Sequence, residues 1–196
     1  MPFTRFILPL ATPRLLGLTG IALLFLVLSL VDSLSGEGFS ALWVLEPSRL
    51  GEEPWRLVTW CFAQEGWVQA SGNAVGLAIG LSMMARCSGQ AAAWLGLCGS
   101  VLLPALWAWQ DMGPNDQLYG ASTALYGALG MGLVSWRKMR HELTYTQRED
   151  WVAGFAVLLL VGFTLAIPRL LDAPARWIHI ISFAWGTSVA ILYPRD

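Results

Sequence analysis

Charged residues are scarce in this chain of 196 residues, and their scarcity argues against a soluble protein. Lysine, arginine, aspartate and glutamate together make up 13% of the chain, whereas hydrophobic residues make up 56%. A soluble globule of this size needs more charge than this to cover its surface with polar groups. The few charges are also clustered, which leaves apolar stretches long enough to cross the hydrocarbon layer of a bilayer. The composition therefore indicates a membrane protein.

Other missing features exclude further classes. The net charge is −1 and the sequence has no basic run or aromatic-rich basic patch, so nucleic acid is excluded as a partner. Cys61, Cys87 and Cys98 lack the spacing of metal ligands or redox pairs, and we interpret them as packing residues. Internal repeats are not apparent, so the sequence does not support an inverted-repeat transporter.

The hydrophobic pattern predicts an all-α membrane protein with six transmembrane helices. The predicted spans are residues 15–31, 67–84, 91–109, 120–136, 151–167 and 177–193. They imply a short tail over residues 1–14, one six-helix domain over residues 15–193 and a long acidic external loop over residues 32–66. A cleaved signal peptide is the alternative interpretation of the first span, but no small-x-small cleavage site precedes the loop.

Basic residues predict that both termini are cytoplasmic. With the N-terminus inside, eight basic residues fall on the inner side and four on the outer side. The inner residues are Arg5, Arg14, Arg86, Arg137, Lys138, Arg140, Arg148 and Arg195, and the outer residues are Arg49, Arg56, Arg169 and Arg176.

Two polar residues inside the spans are candidates for chemistry. Ser122 lies near the start of the fourth span, and His179 is the only histidine in any span. Small residues repeat at every fourth position nearby and allow two helices to approach closely. They are Gly120, Ala124, Ala128 and Gly132 in the fourth span, and Ser182, Gly186 and Ala190 in the sixth. Close packing would bring the hydroxyl and the imidazole within hydrogen-bond reach, although a structural role for Ser122 stays open from the pattern alone.

The fourth and sixth spans carry motifs that resemble those of the rhomboid intramembrane serine proteases. The stretch from Gly120 to Gly127 resembles the rhomboid motif Gly-x-Ser-Gly, in which a tyrosine, here Tyr126, follows four residues after the serine. His179 and Gly186 are similar to the histidine and the second glycine of the sixth-helix motif His-x-x-Gly-x-x-x-Gly.

Further matches extend the resemblance over residues 55–186. Trp55 and Arg56 resemble the Trp-Arg motif of the first external loop in rhomboids, and Asn73 lies where their second-helix asparagine is expected. The predicted topology is similar to that of the minimal bacterial rhomboid core. The short chain also suits the bacterial branch called rhombosortases, which implies a location in the bacterial inner membrane.

The resemblance implies an intramembrane serine endopeptidase that needs no metal and no cofactor. Ser122 would attack the scissile peptide bond of a transmembrane protein substrate, and His179 would act as the base. Asn73, Gln69 and the backbone N–H of Ser122 would stabilise the oxyanion. Tyr126 would pack against the His179 ring, and Gly120 and Gly186 would support the site.

Two residues depart from the rhomboid pattern. Gln69 replaces a histidine that many rhomboids have on the second helix, and Thr123 replaces the glycine after the nucleophile. These departures leave a second interpretation open, a catalytically inactive rhomboid-like protein that binds transmembrane partners. A channel or transporter is disfavoured, because no acidic residue lies in the middle of a span.

Overall fold

Four helices make up most of the part of the chain that the structure describes. A computed structural model describes residues 40–64, 66–139 and 173–193, together with the single positions 20, 24, 27, 28, 31, 148, 152 and 156. The helices are α1 (Arg56–Thr59), α2 (Gly66–Asp111), α3 (Ser122–Met139) and α4 (Ala173–Leu192). Short 3-10 turns cover Ser40–Leu42, Pro47–Arg49 and Trp60–Phe62. No strand occurs over these ranges, which is consistent with the all-α prediction.

Four of the six predicted spans coincide with helices. Spans 67–84 and 91–109 lie within α2, and spans 120–136 and 177–193 correspond to α3 and α4. Spans 15–31 and 151–167 lie outside the described residues except for isolated positions, so the six-helix bundle stays a prediction. Within the described part, one segment, Gly89–Asp111, is long and apolar enough by itself to cross a membrane.

The long helix α2 is broken at Gly89. A straight helix of its 46 residues would be about 70 Å long, roughly twice the thickness of a bilayer core. Gly89 has φ 81° and ψ 167°, a conformation that glycine adopts without steric cost. The break therefore divides α2 into two helical segments, as two successive membrane crossings require.

Helices α3 and α4 pack in close contact because glycines lie where they cross. A Cβ atom added to Gly186 of α4 would overlap the backbone carbonyl of Gly127 in α3, and one added to Gly130 would overlap the carbonyl of Phe183. The small residues predicted to allow this approach on α3 were Gly120, Ala124, Ala128 and Gly132. Gly127 and Gly130 also make close contacts with α4.

The described part of the predicted first loop, residues 40–64, is ordered around the buried side chain of Arg56. This guanidinium forms an ion pair with Glu53 and donates to the carbonyl oxygens of Ala41, at 2.9 Å, and Val44. Arg56 is 1% exposed, so its charge is removed from solvent and compensated by these acceptors. The described part of the predicted loop is thus a folded unit.

The same loop is joined to the segment that precedes α3. Leu45 and Leu118 exchange two backbone hydrogen bonds of 3.0 Å, and the Gln117 side chain donates to Glu46 at 2.6 Å. Because Leu118 lies four residues before Ser122, the loop restrains the backbone that leads into α3.

We predict that Gly186→Ala destabilises the protein by about 1–3 kcal/mol, because the added methyl group has no space between the two backbones. Thermal unfolding in detergent measures this change. Gly51→Ala is the matched control, since a Cβ there has no neighbour within 4 Å. Equal unfolding temperatures for the two variants would contradict the close crossing.

We predict that Arg56→Met loosens the first loop, because the buried carbonyl of Val44 loses its donor at a cost of about 1–3 kcal/mol. Limited proteolysis should cleave residues 40–55 faster than in the wild type. Arg49→Met is the control, since Arg49 forms an ion pair with Glu46 at the surface, where such pairs contribute about 0–1 kcal/mol. Equal cleavage rates for both variants would show that Arg56 does not hold the loop.

Candidate active site

The candidate nucleophile opens helix α3. The fourth span was predicted to begin at Gly120, but Gly120 has φ 110° and the helix begins at Ser122. The N–H of Gly120 donates to the carbonyl oxygen of Trp60 at 3.3 Å, which holds the chain in this turn. The first backbone N–H groups of a helix have no acceptor within that helix. The N–H of Ser122 is therefore not used by the helical ladder of α3.

The structure brings Ser122 and His179 together. The Ser122 Oγ lies 2.8 Å from the His179 Nε2, within hydrogen-bond distance. Ser122 is 4% exposed and His179 is 2% exposed, so the pair is shielded from bulk water. The close crossing of α3 and α4 accounts for this contact. Gly127 follows Ser122 on α3 and Gly186 follows His179 on α4, so both residues of the pair lie near the crossing. A hydroxyl that donates to a neutral imidazole is the arrangement that activates a serine nucleophile.

Tyr126 lies against the candidate base. It is one helical turn after Ser122 on α3, and its ring centroid is 4.5 Å from that of His179 with an interplanar angle of 38°. Such a tilted contact between rings restricts the rotation of the imidazole. The aromatic ring, not the hydroxyl, makes this contact.

The two candidate oxyanion side chains are buried on α2. Asn73 is 0% exposed, and Gln69, one turn earlier, is also buried. Among the described hydrogen bonds, the Asn73 Nδ2 donates to the Gln64 Oε1 at 2.7 Å. The Gln64 Nε2 donates in turn to the carbonyl oxygen of Cys61 at 2.7 Å. The roles of Asn73 and Gln69 stay predictions.

Gln64 is a buried polar residue that was not among the predicted site residues. It lies outside the predicted spans, where a glutamine is common and does not by itself indicate a function. It is nevertheless 5% exposed and bonded to Asn73. The available signal was its position shortly before the second span, on the side of the membrane where the site was expected.

Thr123, the departure next to the nucleophile, is fully buried. Its methyl and hydroxyl groups are therefore packed within the protein and do not project into an open space. Its Oγ1 has no hydrogen-bond partner among the residues that the structure describes.

The Cys61 thiol is a poor candidate for a second nucleophile in the described ranges. Burial raises the pKa of the Cys61 thiol from 9.0 to about 12, so the thiol stays protonated at neutral pH. Over residues 40–64, 66–139 and 173–193, the His, Cys, Asp and Glu side chains form no cluster of three that could hold a metal ion.

The family model of the Rhomboid domain matches residues 51–196, which is most of the chain. The protein therefore belongs to the rhomboid family, a family of intramembrane proteases, and is an integral membrane protein. No curated protein and no solved structure matches the chain. The matched range spans Ser122, His179 and Tyr126, together with Gln64, Gln69 and Asn73.

We predict that Tyr126→Leu slows labelling by a fluorophosphonate serine probe by about 10- to 100-fold, because the imidazole loses the ring that restricts it. Tyr126→Phe is the matched control and should label at close to the wild-type rate, since it keeps the ring. A slow Tyr126→Phe variant would show instead that the hydroxyl matters.

Proposed function

We propose that the protein is an intramembrane serine endopeptidase that cleaves membrane-anchored proteins within or next to their transmembrane segments. The observation that carries the proposal is the 2.8 Å contact between the Ser122 hydroxyl and the His179 imidazole, two buried groups on adjoining helices. The family supplies the reaction class and implies membrane-protein substrates in a lipid bilayer.

The first step is nucleophilic attack by Ser122. The Nε2 of neutral His179 accepts the hydroxyl proton, which requires the tautomer that carries its proton on Nδ1. The Oγ then forms a bond to the carbonyl carbon of the scissile peptide, and the carbonyl oxygen takes up the negative charge.

The developing oxyanion needs hydrogen-bond donors that are already in place. The N–H of Ser122 is not used within α3, and the carboxamides of Asn73 and Gln69 each carry donors. Gln69 thus retains the donor capacity of the histidine that it replaces. Loss of one such donor typically lowers the rate by about 10²- to 10³-fold.

The imidazolium then returns the proton to the leaving amine, and the peptide bond breaks. Water attacks the acyl-enzyme, with His179 again as base, which releases the second product and restores the serine. Every proton passes through His179, so no metal or cofactor is required. The polar, turn-rich residues 110–119 beside the start of α3 are the route by which we expect water to enter.

We further propose that the protein lies in the bacterial inner membrane with both termini in the cytoplasm. The excess of basic residues in the predicted inner segments supports this orientation. Ser122 would then lie near the outer side of the membrane, because it follows an external segment.

A catalytically inactive protein that binds transmembrane partners is the alternative function. The observations that favour it are Gln69 in place of histidine and Thr123 in place of glycine. This alternative predicts partner binding that does not change when Ser122 or His179 is replaced.

We predict that Ser122→Ala and His179→Ala each reduce both fluorophosphonate labelling and cleavage of a single-span substrate by about 10⁴-fold or more, because each removes half of the dyad. Both variants should insert and unfold like the wild type.

Two control variants test the specificity of this result. Ser188→Ala removes an exposed serine of α4, and His141→Ala removes the second histidine of the chain. Both should label like the wild type. Equal labelling of Ser122→Ala and the wild type would refute the proposed nucleophile and leave the inactive alternative.

A further inference from the structure

We propose that Gln64 is a positioning residue that orients the Asn73 carboxamide so that it presents a donor to the oxyanion. This inference rests on the proposed function and assigns a role to a residue outside the rhomboid motifs quoted above. Its basis is a chain of two buried hydrogen bonds, from Asn73 to Gln64 and from Gln64 to the backbone of Cys61.

The direction of this chain is determined at the Cys61 end. A backbone carbonyl oxygen only accepts hydrogen bonds, so the group of Gln64 that faces Cys61 has to be its NH₂. The opposite end of the same carboxamide, Oε1, therefore faces Asn73. Because Oε1 only accepts, Asn73 has to present its own NH₂ group to Gln64.

The direction of these hydrogen bonds determines which donor and acceptor atoms of Asn73 are left for other partners. Its nitrogen carries two hydrogens, of which one is used by Gln64, so one N–H stays available for a second acceptor. Its Oδ1 has no hydrogen-bond partner among the described residues. A rotation of the carboxamide by 180° would exchange the two ends and place Oδ1 opposite the Gln64 Oε1. Two buried carbonyl oxygens in contact repel each other, so Gln64 disfavours that rotamer.

The orientation matters because an oxyanion accepts hydrogen bonds and is repelled by an oxygen. A carboxamide that is free to rotate presents its acceptor for part of the time and loses this contribution. Gln64 and Asn73 are both at least 95% buried, so water does not replace the missing partner readily.

The turn Trp60–Phe62 connects this chain to the nucleophile. Its Cys61 carbonyl accepts from Gln64, and its Trp60 carbonyl accepts from the N–H of Gly120, two residues before Ser122. Trp60 and Cys61 are both buried. One short turn thus positions the start of α3 and the carboxamide of Asn73 relative to each other.

A double-mutant cycle tests whether Gln64 acts through Asn73. Gln64→Met keeps the length of the side chain but removes its donor and acceptor. We expect kcat for a single-span substrate to fall about 10- to 100-fold with KM changed less than about twofold, because the interaction is made in the transition state. In the Asn73→Ala background the same substitution should change kcat less than about twofold, since the residue it positions is absent.

The cycle has a matched control and a defined contrary result. Gln90→Met replaces an exposed glutamine of α2 and should leave kcat unchanged. An equal loss for Gln64→Met in the wild-type and Asn73→Ala backgrounds would overturn the inference, because a merely structural residue acts independently of Asn73. If Gln64→Met does not fold, Gln64→Leu takes its place, since leucine also removes both the donor to Cys61 and the acceptor for Asn73.

A second measurement does not depend on activity and separates this inference from the proposed function. The chain has two asparagines, Asn73 and Asn115, so the side-chain amide signals of an asparagine-labelled sample in detergent are assigned with one Asn115→Asp variant. Wild-type Asn73 should give one sharp pair of signals that is protected from solvent exchange. In the Gln64 variant the pair should broaden or shift. An unchanged pair would overturn the positioning role, whereas a wild-type protein that keeps this pair but neither labels nor cleaves would refute only the protease.

Discussion

Two backbones meet without intervening side chains where Gly127 of α3 and Gly186 of α4 cross. The contact between the Ser122 hydroxyl and the His179 imidazole depends on this crossing, because a hydrogen bond of 2.8 Å tolerates little change in helix separation. Tyr126 contacts the imidazole from the same helix that carries the serine, so its position depends on the same approach. The contact between serine and histidine thus depends on the packing of small residues. Without this packing, the Ser122 hydroxyl would have no imidazole beside it.

A second set of contacts at the site comes from the segments that precede α2 and α3. Arg56 orders the first loop, Leu45 of that loop pairs with Leu118, and the turn Trp60–Phe62 binds the N–H of Gly120. These contacts all hold the backbone that leads into α3. The loop therefore does more than connect two spans, since it restrains the place where the nucleophile and its unused N–H begin the helix.

The buried polar side chains at and before the start of α2 are carboxamides. Gln64, Gln69 and Asn73 carry no charge at any pH, so their charge does not vary with protonation. Their orientation has to be fixed for them to act as donors, because rotation of a carboxamide by 180° exchanges its donor and its acceptor. A buried chain of hydrogen bonds that ends on the carbonyl oxygen of Cys61 removes this ambiguity for Asn73.

The sequence by itself determined the membrane class, the helical character of four spans and the two residues that meet, since apolar length, spacing and family motifs are local properties. It placed the start of the fourth span two residues early, because the positive φ of Gly120 follows from its bond to Trp60. It did not identify Gly127 and Gly130 as residues of the close contact on α3, because spacing does not tell which face of a helix meets a given neighbour. The role of Gln64 could not be predicted from the sequence either. Its bond to Asn73 joins two side chains nine residues apart, and only the folded chain brings them within 2.7 Å.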